Sequence, residues 1–175
     1  MSKRIVAVLA LSVLSAIAVS VAWATMGSGL SATALARGAG GEFRIKAENF
    51  RFNLKAKDAT DVALVNAKLA PGGYTGWHGH AGPSLVVVKT GQITMYAPRS
   101  RRGDDDDDDN GDRRRGAGCE VSVHNAGTTF VHPEGAHNFV NTAAGETEFY
   151  IVYFVPAGAS PAAIDVTPAP AGCPA

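Results

Sequence analysis

From Phe43 to Val155 apolar residues alternate with polar ones in short runs broken by Gly and Pro, and no stretch carries a convincing amphipathic helical period. A period of two is the signature of half-buried strands, because successive side chains leave a strand on opposite faces. Phe43 and Ile45 alternate with charged neighbours, as do Phe50, Phe52 and Leu54, and 61–69 follows with Val62, Leu64 and Val65. Further runs cover 84–88, 92–96, 120–124, 128–131, 137–140 and 148–155, separated by Pro-Gly-Gly, Thr-Gly and Ala-Gly turn signals. Eight or more short strands at this spacing predict an all-β sandwich, jelly roll or closed barrel rather than an alternating α/β fold.

The 175 residues are enough for one domain with a real core, and 46% hydrophobic against 18% charged residues excludes wholesale disorder. Sixteen basic residues balance sixteen acidic ones, so the chain has no overall field that would attract nucleic acid or an anionic membrane. At the N-terminus Lys3 and Arg4 precede an uncharged apolar run from Ile5 to Ala22, then Ala22-Trp23-Ala24, with small residues where a signal peptidase inspects them. Residues 1–24 are therefore expected to be a signal peptide cleaved before Thr25. Without cleavage the same run is a membrane anchor, and either way the domain is exported, periplasmic or extracellular. The Gly-, Ser- and Ala-rich stretch 25–41 is expected to be a leader arm, 42–168 the barrel and 169–175 a C-terminal tail. Cys119 and Cys173 both lie outside the signal, and an oxidising compartment predicts that they pair and tie the tail to the barrel.

One segment interrupts the strands. Residues 99–116 hold Arg99, Arg101 and Arg102, then Asp104 through Asp109, Asp112, and Arg113 through Arg115. Packed like charges repel and cannot enter a core, so this segment is expected to be a disordered, solvated hairpin extension in which the two arginine groups partly neutralise the aspartate run. Consecutive aspartates without spaced ligands or a turn glycine do not make a defined calcium loop.

The chemistry lies in two histidine-bearing segments. In the first, Gly72 is followed after five residues by His78-Gly79-His80, then Ser84 and Gly91. Imidazoles at i and i+2 of a strand leave the same face and can share one metal ion. In the second, Gly127 leads to Pro133-Glu134-Gly135-Ala136-His137 and then Asn141, so that His137 offers a third nitrogen. His132 precedes the Pro133 corner and is a candidate fourth ligand. His124 is read as facing solvent, with no role.

These two segments resemble the paired motifs of the cupin superfamily, which implies a single antiparallel jelly-roll barrel, the double-stranded β-helix. The first motif runs Gly, five residues, His-x-His, three or four residues, Glu, six residues, Gly, and here Gly72, His78, His80 and Gly91 fit while Ser84 stands where Glu belongs. The second runs Gly, five residues, Pro-x-Gly, two residues, His, three residues, Asn. Gly127, Pro133, Gly135, His137 and Asn141 fit it, with one residue fewer before the histidine. The leader, the two motifs and the late Cys-Pro are also similar to small exported bacterial cupins.

The resemblance implies one divalent transition metal (Fe, Mn, Ni, Zn or Cu) held by His78, His80 and His137, with open positions for a small molecule. Three neutral imidazoles leave the full ionic charge in place, which favours an anionic or chelating ligand. Ser84 and His132 are then the candidates for a fourth ligand or for orienting a metal-bound water, and Trp77 and Phe139 for lining the pocket. Two functional readings stand beside each other: an oxygenase or isomerase type of enzyme, and a non-catalytic module that captures a small molecule with or without metal. The resemblance also allows a homodimer, and nothing in the charge pattern calls for nucleic acid or for membrane contact beyond the N-terminal signal.

Overall fold

A computed structural model describes residues 27–47, 49, 52–99, 118–132, 134–161, 164–166 and 168–174. The expected signal peptide, Phe50, Pro133 and nearly all of the Arg- and Asp-rich segment lie outside them. Among the described residues there is no helix. The strands are β1 (Ser28–Gly38), β2 (Phe43–Ala47), β3 (Phe52–Ala56), β4 (Thr60–Tyr74), β5 (His78–Gly79), β6 (Ser84–Thr90), β7 (Gln92–Pro98), β8 (Cys119–Asn125), β9 (Thr129–His132), β10 (Asn138–Val140), β11 (Thr147–Pro156) and β12 (Ile164–Asp165).

The main sheet runs β8-β7-β10-β4-β11-β6-β9, with β1 added alongside β4. Every pairing is antiparallel, and the sheet curls into a nearly closed barrel of the jelly-roll type. The alternation that predicted strands is also what fills the barrel. Ala63, Val65, Ala67 and Leu69 of β4, with Phe149, Ile151, Tyr153 and Val155 of β11, all point inward, joined by Val86, Val88 and Ile93. Burying such side chains supplies about 1.5–3 kcal/mol each for the larger ones and is the main force closing the sheet. Inward-facing Ala63 and Ala67 are small, so the β4 wall leaves room at the barrel's centre.

The turn between β6 and β7 needs Gly91. Its φ is +75°, and a Cβ there would lie 2.9 Å from the Thr147 Cα, so the glycine that closes the first motif is fixed by backbone geometry.

Two expectations are corrected. The arm expected over 25–41 is, from Ser28 to Gly38, a strand of the main sheet, in register with β4 from Leu30↔Leu69 to Gly38↔Val62. Small Ala and Ser residues hid it from hydrophobic periodicity, yet Leu30 and Ala32 pack against the core. β2 and β3 in turn form a separate two-stranded hairpin outside that sheet. His124, expected to face solvent, is half-buried: its ring stacks on Phe130 at 3.7 Å and it hydrogen-bonds the Ser122 hydroxyl at 2.9 Å. Val121 and Val123 take the exposed face of β8, each 53% accessible.

Cys119 and Cys173 are bonded, as the sequence predicts, with Cα atoms 4.8 Å apart and a separation of 54 positions in sequence. In the chain-entropy account a bridge of that span stabilises by about 4 kcal/mol. It fastens the tail to β8, next to the root of the charged segment, where Arg99 N–H donates to the Gly118 carbonyl at 2.9 Å.

Candidate metal centre

The two motif segments meet face to face. His78 and His137 are partners in an isolated antiparallel bridge, each N–H donating to the other's carbonyl at 2.9 Å. Asn141, fully buried, locks the junction: its amide donates to the carbonyls of Leu69, Ala70 and Gly145 at 2.8–3.1 Å, and its own carbonyl oxygen accepts from Ala143 N–H at 3.0 Å. Gly72 N–H and the Gly73 carbonyl pair with the Asn141 backbone. The Thr75 hydroxyl accepts from Phe139 N–H at 2.9 Å. The polar frame therefore holds the two segments in one register, and the histidines converge as a consequence.

One donor atom from each of His78, His80 and His137 lies within 4.8 Å of the others. Ring centroids stand 5.0 Å apart for His78 and His80, 5.0 Å for His80 and His137, and 4.1 Å for His78 and His137. Only His78 belongs to a strand, the two-residue β5; His80 follows it, half-buried, and still faces the cavity.

Hydrogen bonds to backbone set the tautomers. His78 Nδ1–H donates to the Gly76 carbonyl at 2.8 Å and His137 Nδ1–H to the Gly135 carbonyl at 3.2 Å. That leaves each Nε2 as a lone pair, the arrangement common to metal-ligating histidines. His137 Nε2, His80 Nδ1 and His132 Nδ1 are sealed from solvent without a hydrogen-bond partner. Burying an unpaired polar atom costs about 1–3 kcal/mol, and native interiors hold few of them. Among the described residues, His78, His80 and His137 are the histidines grouped closely enough to hold one ion between them.

Electrostatics agree with that donor set. Burial, and secondarily the neighbouring imidazoles, push His80 down to about 3 and His132 down to about 4, and lower His78 and His137 for the same leading reason. All four are neutral at neutral pH, as ligands must be.

The His78 and His80 rings line a cavity of about 20 Å³ whose walls are mostly apolar side chains, above the roughly 10–15 Å³ that one water needs. Phe139 lines it, as expected, and so does Ser84, only 3% exposed. His132 is equally buried, its ring 3.6 Å from that of His137. Trp77 is a correction. Expected in the pocket, it is buried on the other side of its segment, where its indole N–H donates to the Pro174 carbonyl at 2.8 Å. The neighbouring His78 takes the inward direction, and adjacent residues of an extended segment cannot share it.

The sequence reading missed Tyr153, Thr75, Leu30 and Ala32, which also line the cavity. Tyr153 shares strand parity with Phe149 and Ile151, a signal present in the sequence; β1 offered none. Burial holds the Tyr153 phenol well above its ordinary range, so it stays protonated, with its ring 4.8 Å from His80.

No protein-family model matches the chain, and no curated protein matches it. Among solved structures, it is similar to an oxalate oxidase (23% identity over 60% of this chain and 46% of that one, TM-score 0.45). It is also similar to a cupin superfamily protein from Desulfitobacterium hafniense (12% identity, 72% and 77% covered, TM-score 0.43) and to an oxalate decarboxylase from B. subtilis (18% identity, 61% and 24% covered, TM-score 0.44). The chain spans about half the length of the oxalate oxidase chains it matches.

Proposed function

We propose that this chain is a small exported cupin that holds one divalent transition metal through His78, His80 and His137 and binds a small anionic or chelating molecule beside it. The observation that carries the reading is the sealed, unpartnered Nε2 of His137, facing donor atoms of His78 and His80 within 4.8 Å. A packing histidine would be expected to satisfy that nitrogen with a carbonyl, a hydroxyl or water. When bound, the ion would act as a Lewis acid toward an oxygen of the ligand.

The chain's own residues shape what enters. The donor set contains no carboxylate, since Ser84 stands in that place, so the ion's charge is not reduced and attracts a negative ligand. The protonated Tyr153 phenol is a hydrogen-bond donor to an anionic oxygen, while Phe139, Phe149 and Ile151 keep bulk water out of the cavity. The small, apolar lining fits a compact molecule. Export rests on the N-terminal apolar run with its Ala-Trp-Ala end, and is supported by the Cys119–Cys173 bond, which persists in oxidising compartments.

Elemental analysis and intact mass of protein purified from the expressing cell's envelope or medium test this together. The expected result is about one transition metal per chain and a mature chain beginning at Thr25. The His78→Ala, His80→Ala, His137→Ala variant should hold under a tenth as much metal. Equal metal in both proteins sinks the centre, and an unprocessed cytosolic chain sinks export.

A further inference from the structure

The position where the cupin motif would place a carboxylate ligand is Ser84, and its hydroxyl leaves the centre one strong donor short. Directly across the sheet stands a replacement. Ser84 and His132 are register partners on β6 and β9 (Ser84↔His132), so their side chains leave the same face. The parity of β9 confirms the direction: Val131 is 66% exposed, while Phe130 packs on the core and His132 is only 3% exposed.

His132 has the marks of a ligand rather than of a packing residue. Its Nδ1 is sealed without a hydrogen-bond partner, as is the Nε2 of His137. Its ring is 3.6 Å from that of His137 and 6.4 Å from that of His80. With metal–nitrogen bonds of about 2.0–2.1 Å, imidazoles on opposite sides of one ion have centroids roughly 6 Å apart, and those on adjacent sides somewhat less. The 6.4 Å separation between His80 and His132 matches the first case and the 5.0 Å separations match the second, while the 3.6 Å between His132 and His137 is shorter than either, so one of these two rings must swing outward when both bind one ion.

We propose that His132 is a fourth imidazole ligand of the centre, supplied from β9 in place of the carboxylate that position 84 lacks. The proposal rests on the three-histidine reading above and deepens it. An all-imidazole set suits copper, nickel, zinc or iron better than manganese or magnesium, which favour oxygen donors. It also keeps the bound ion's positive charge whole.

The test loads the full-length mature protein with Cu(II) alone and counts coordinated imidazoles by pulsed electron paramagnetic resonance. His132→Phe keeps a flat ring in the same space and removes the nitrogens. Four imidazoles in the wild type are expected, three in His132→Phe, and a loss of copper affinity of at least tenfold. Adding Ser84→Glu to His132→Phe should recover most of that affinity with an oxygen-donor signature. Three imidazoles in the wild type, or an unchanged spectrum and affinity in His132→Phe, would overturn His132 as a ligand and leave the three-histidine centre standing. A wild type that binds no copper, or an unaltered copper load in the triple-alanine variant, would overturn the underlying reading as well. Should His132→Phe fail to fold, the wild-type imidazole count decides alone.

Discussion

Two of the places where the barrel buries polar side chains are treated in opposite ways. Asp61, at the start of β4, is 5% exposed and fully partnered: Arg37 binds Oδ2 through Nε at 3.0 Å and through its terminal nitrogen at 2.5 Å, and the backbone N–H groups of Gly40 and Gly158 add bonds of 3.3 and 3.0 Å. His78, His132 and His137 are equally buried and His80 half-buried, yet His80 Nδ1, His132 Nδ1 and His137 Nε2 have no hydrogen-bond partner. One site ties β1, β4 and the end of β11 together and is complete as it stands. The other is assembled by the same backbone care, with Asn141 and Thr75 fixing its register, but its own polar atoms are left unpaired. Polar burial that serves the fold satisfies itself; polar burial that serves a ligand waits for one.

The contrast should be largest in acid. In metal-free protein, His80 and His132 titrate near 3 and 4 when folded and near 6.5 when unfolded. Below about pH 6.5 the unfolded chain therefore takes up protons that the folded chain refuses. The stabilisation is whole above pH 6.5 and is lost as the pH falls toward 4, on the order of a few kcal/mol for the cluster. Urea midpoints of chelator-treated protein between pH 7.5 and 4.5 should fall steeply, and a His80→Leu, His132→Leu variant should show a much flatter profile. Equal slopes in the two proteins would mean that these rings are solvated or paired, and the distinction between the two sites would collapse.

Asp61 should behave as the mirror image, with a smaller effect because Arg37 is partly exposed to solvent. Its carboxyl is held below the ordinary carboxylate range, chiefly by the Gly158 N–H and then by the Arg37 guanidinium. A depressed carboxylate stabilises above its unfolded pKa and loses that contribution as pH drops below about 4. Asp61→Asn is expected to lower the urea midpoint at pH 7 without changing metal content, and the gap from wild type should close below about pH 3. A variant that loses metal at neutral pH would show that the two sites are coupled.

The difference also explains what the sequence made legible. Strand alternation was readable because β4 and β11 each bury every second residue, and the His-x-His and Pro-Glu-Gly frames marked out His78, His80 and His137 because bringing three imidazoles together demands fixed residue types at fixed spacing. β1 was not readable: Ser28–Gly38 pairs through its backbone and sets only Leu30 and Ala32 against the core, so hydrophobicity carried no period. Asp61 was hidden for a related reason, since its partners Arg37, Gly40 and Gly158 come from distant segments and two of them act through backbone N–H groups. The place of His132 was half legible. Its closeness in sequence to His137 was visible, whereas its register opposite Ser84 is a property of the β6–β9 pairing that no local pattern encodes.

Trp77 offers the finest test of the boundary between fold and site, because it adjoins a ligand candidate yet points away from it. β12 pairs with β5 through Ile164↔Gly79 and Asp165↔His78, and Val166 N–H donates to the Trp77 carbonyl at 2.9 Å, so the tail covers the outer side of the segment that carries His78. The indole N–H adds one bond, to the Pro174 carbonyl next to the disulfide at Cys173. Trp77→Phe removes that donor while the backbone contacts and the covalent tether remain, so stability should fall by about 1 kcal/mol, plus whatever the smaller ring loses in packing. Metal content and the Cu(II) spectrum should not change, because the indole is no part of the cavity wall. If the copper signal shifted while stability held, Trp77 would belong to the pocket as its sequence position implied, and the tail would have to be counted as part of the centre rather than as its cover.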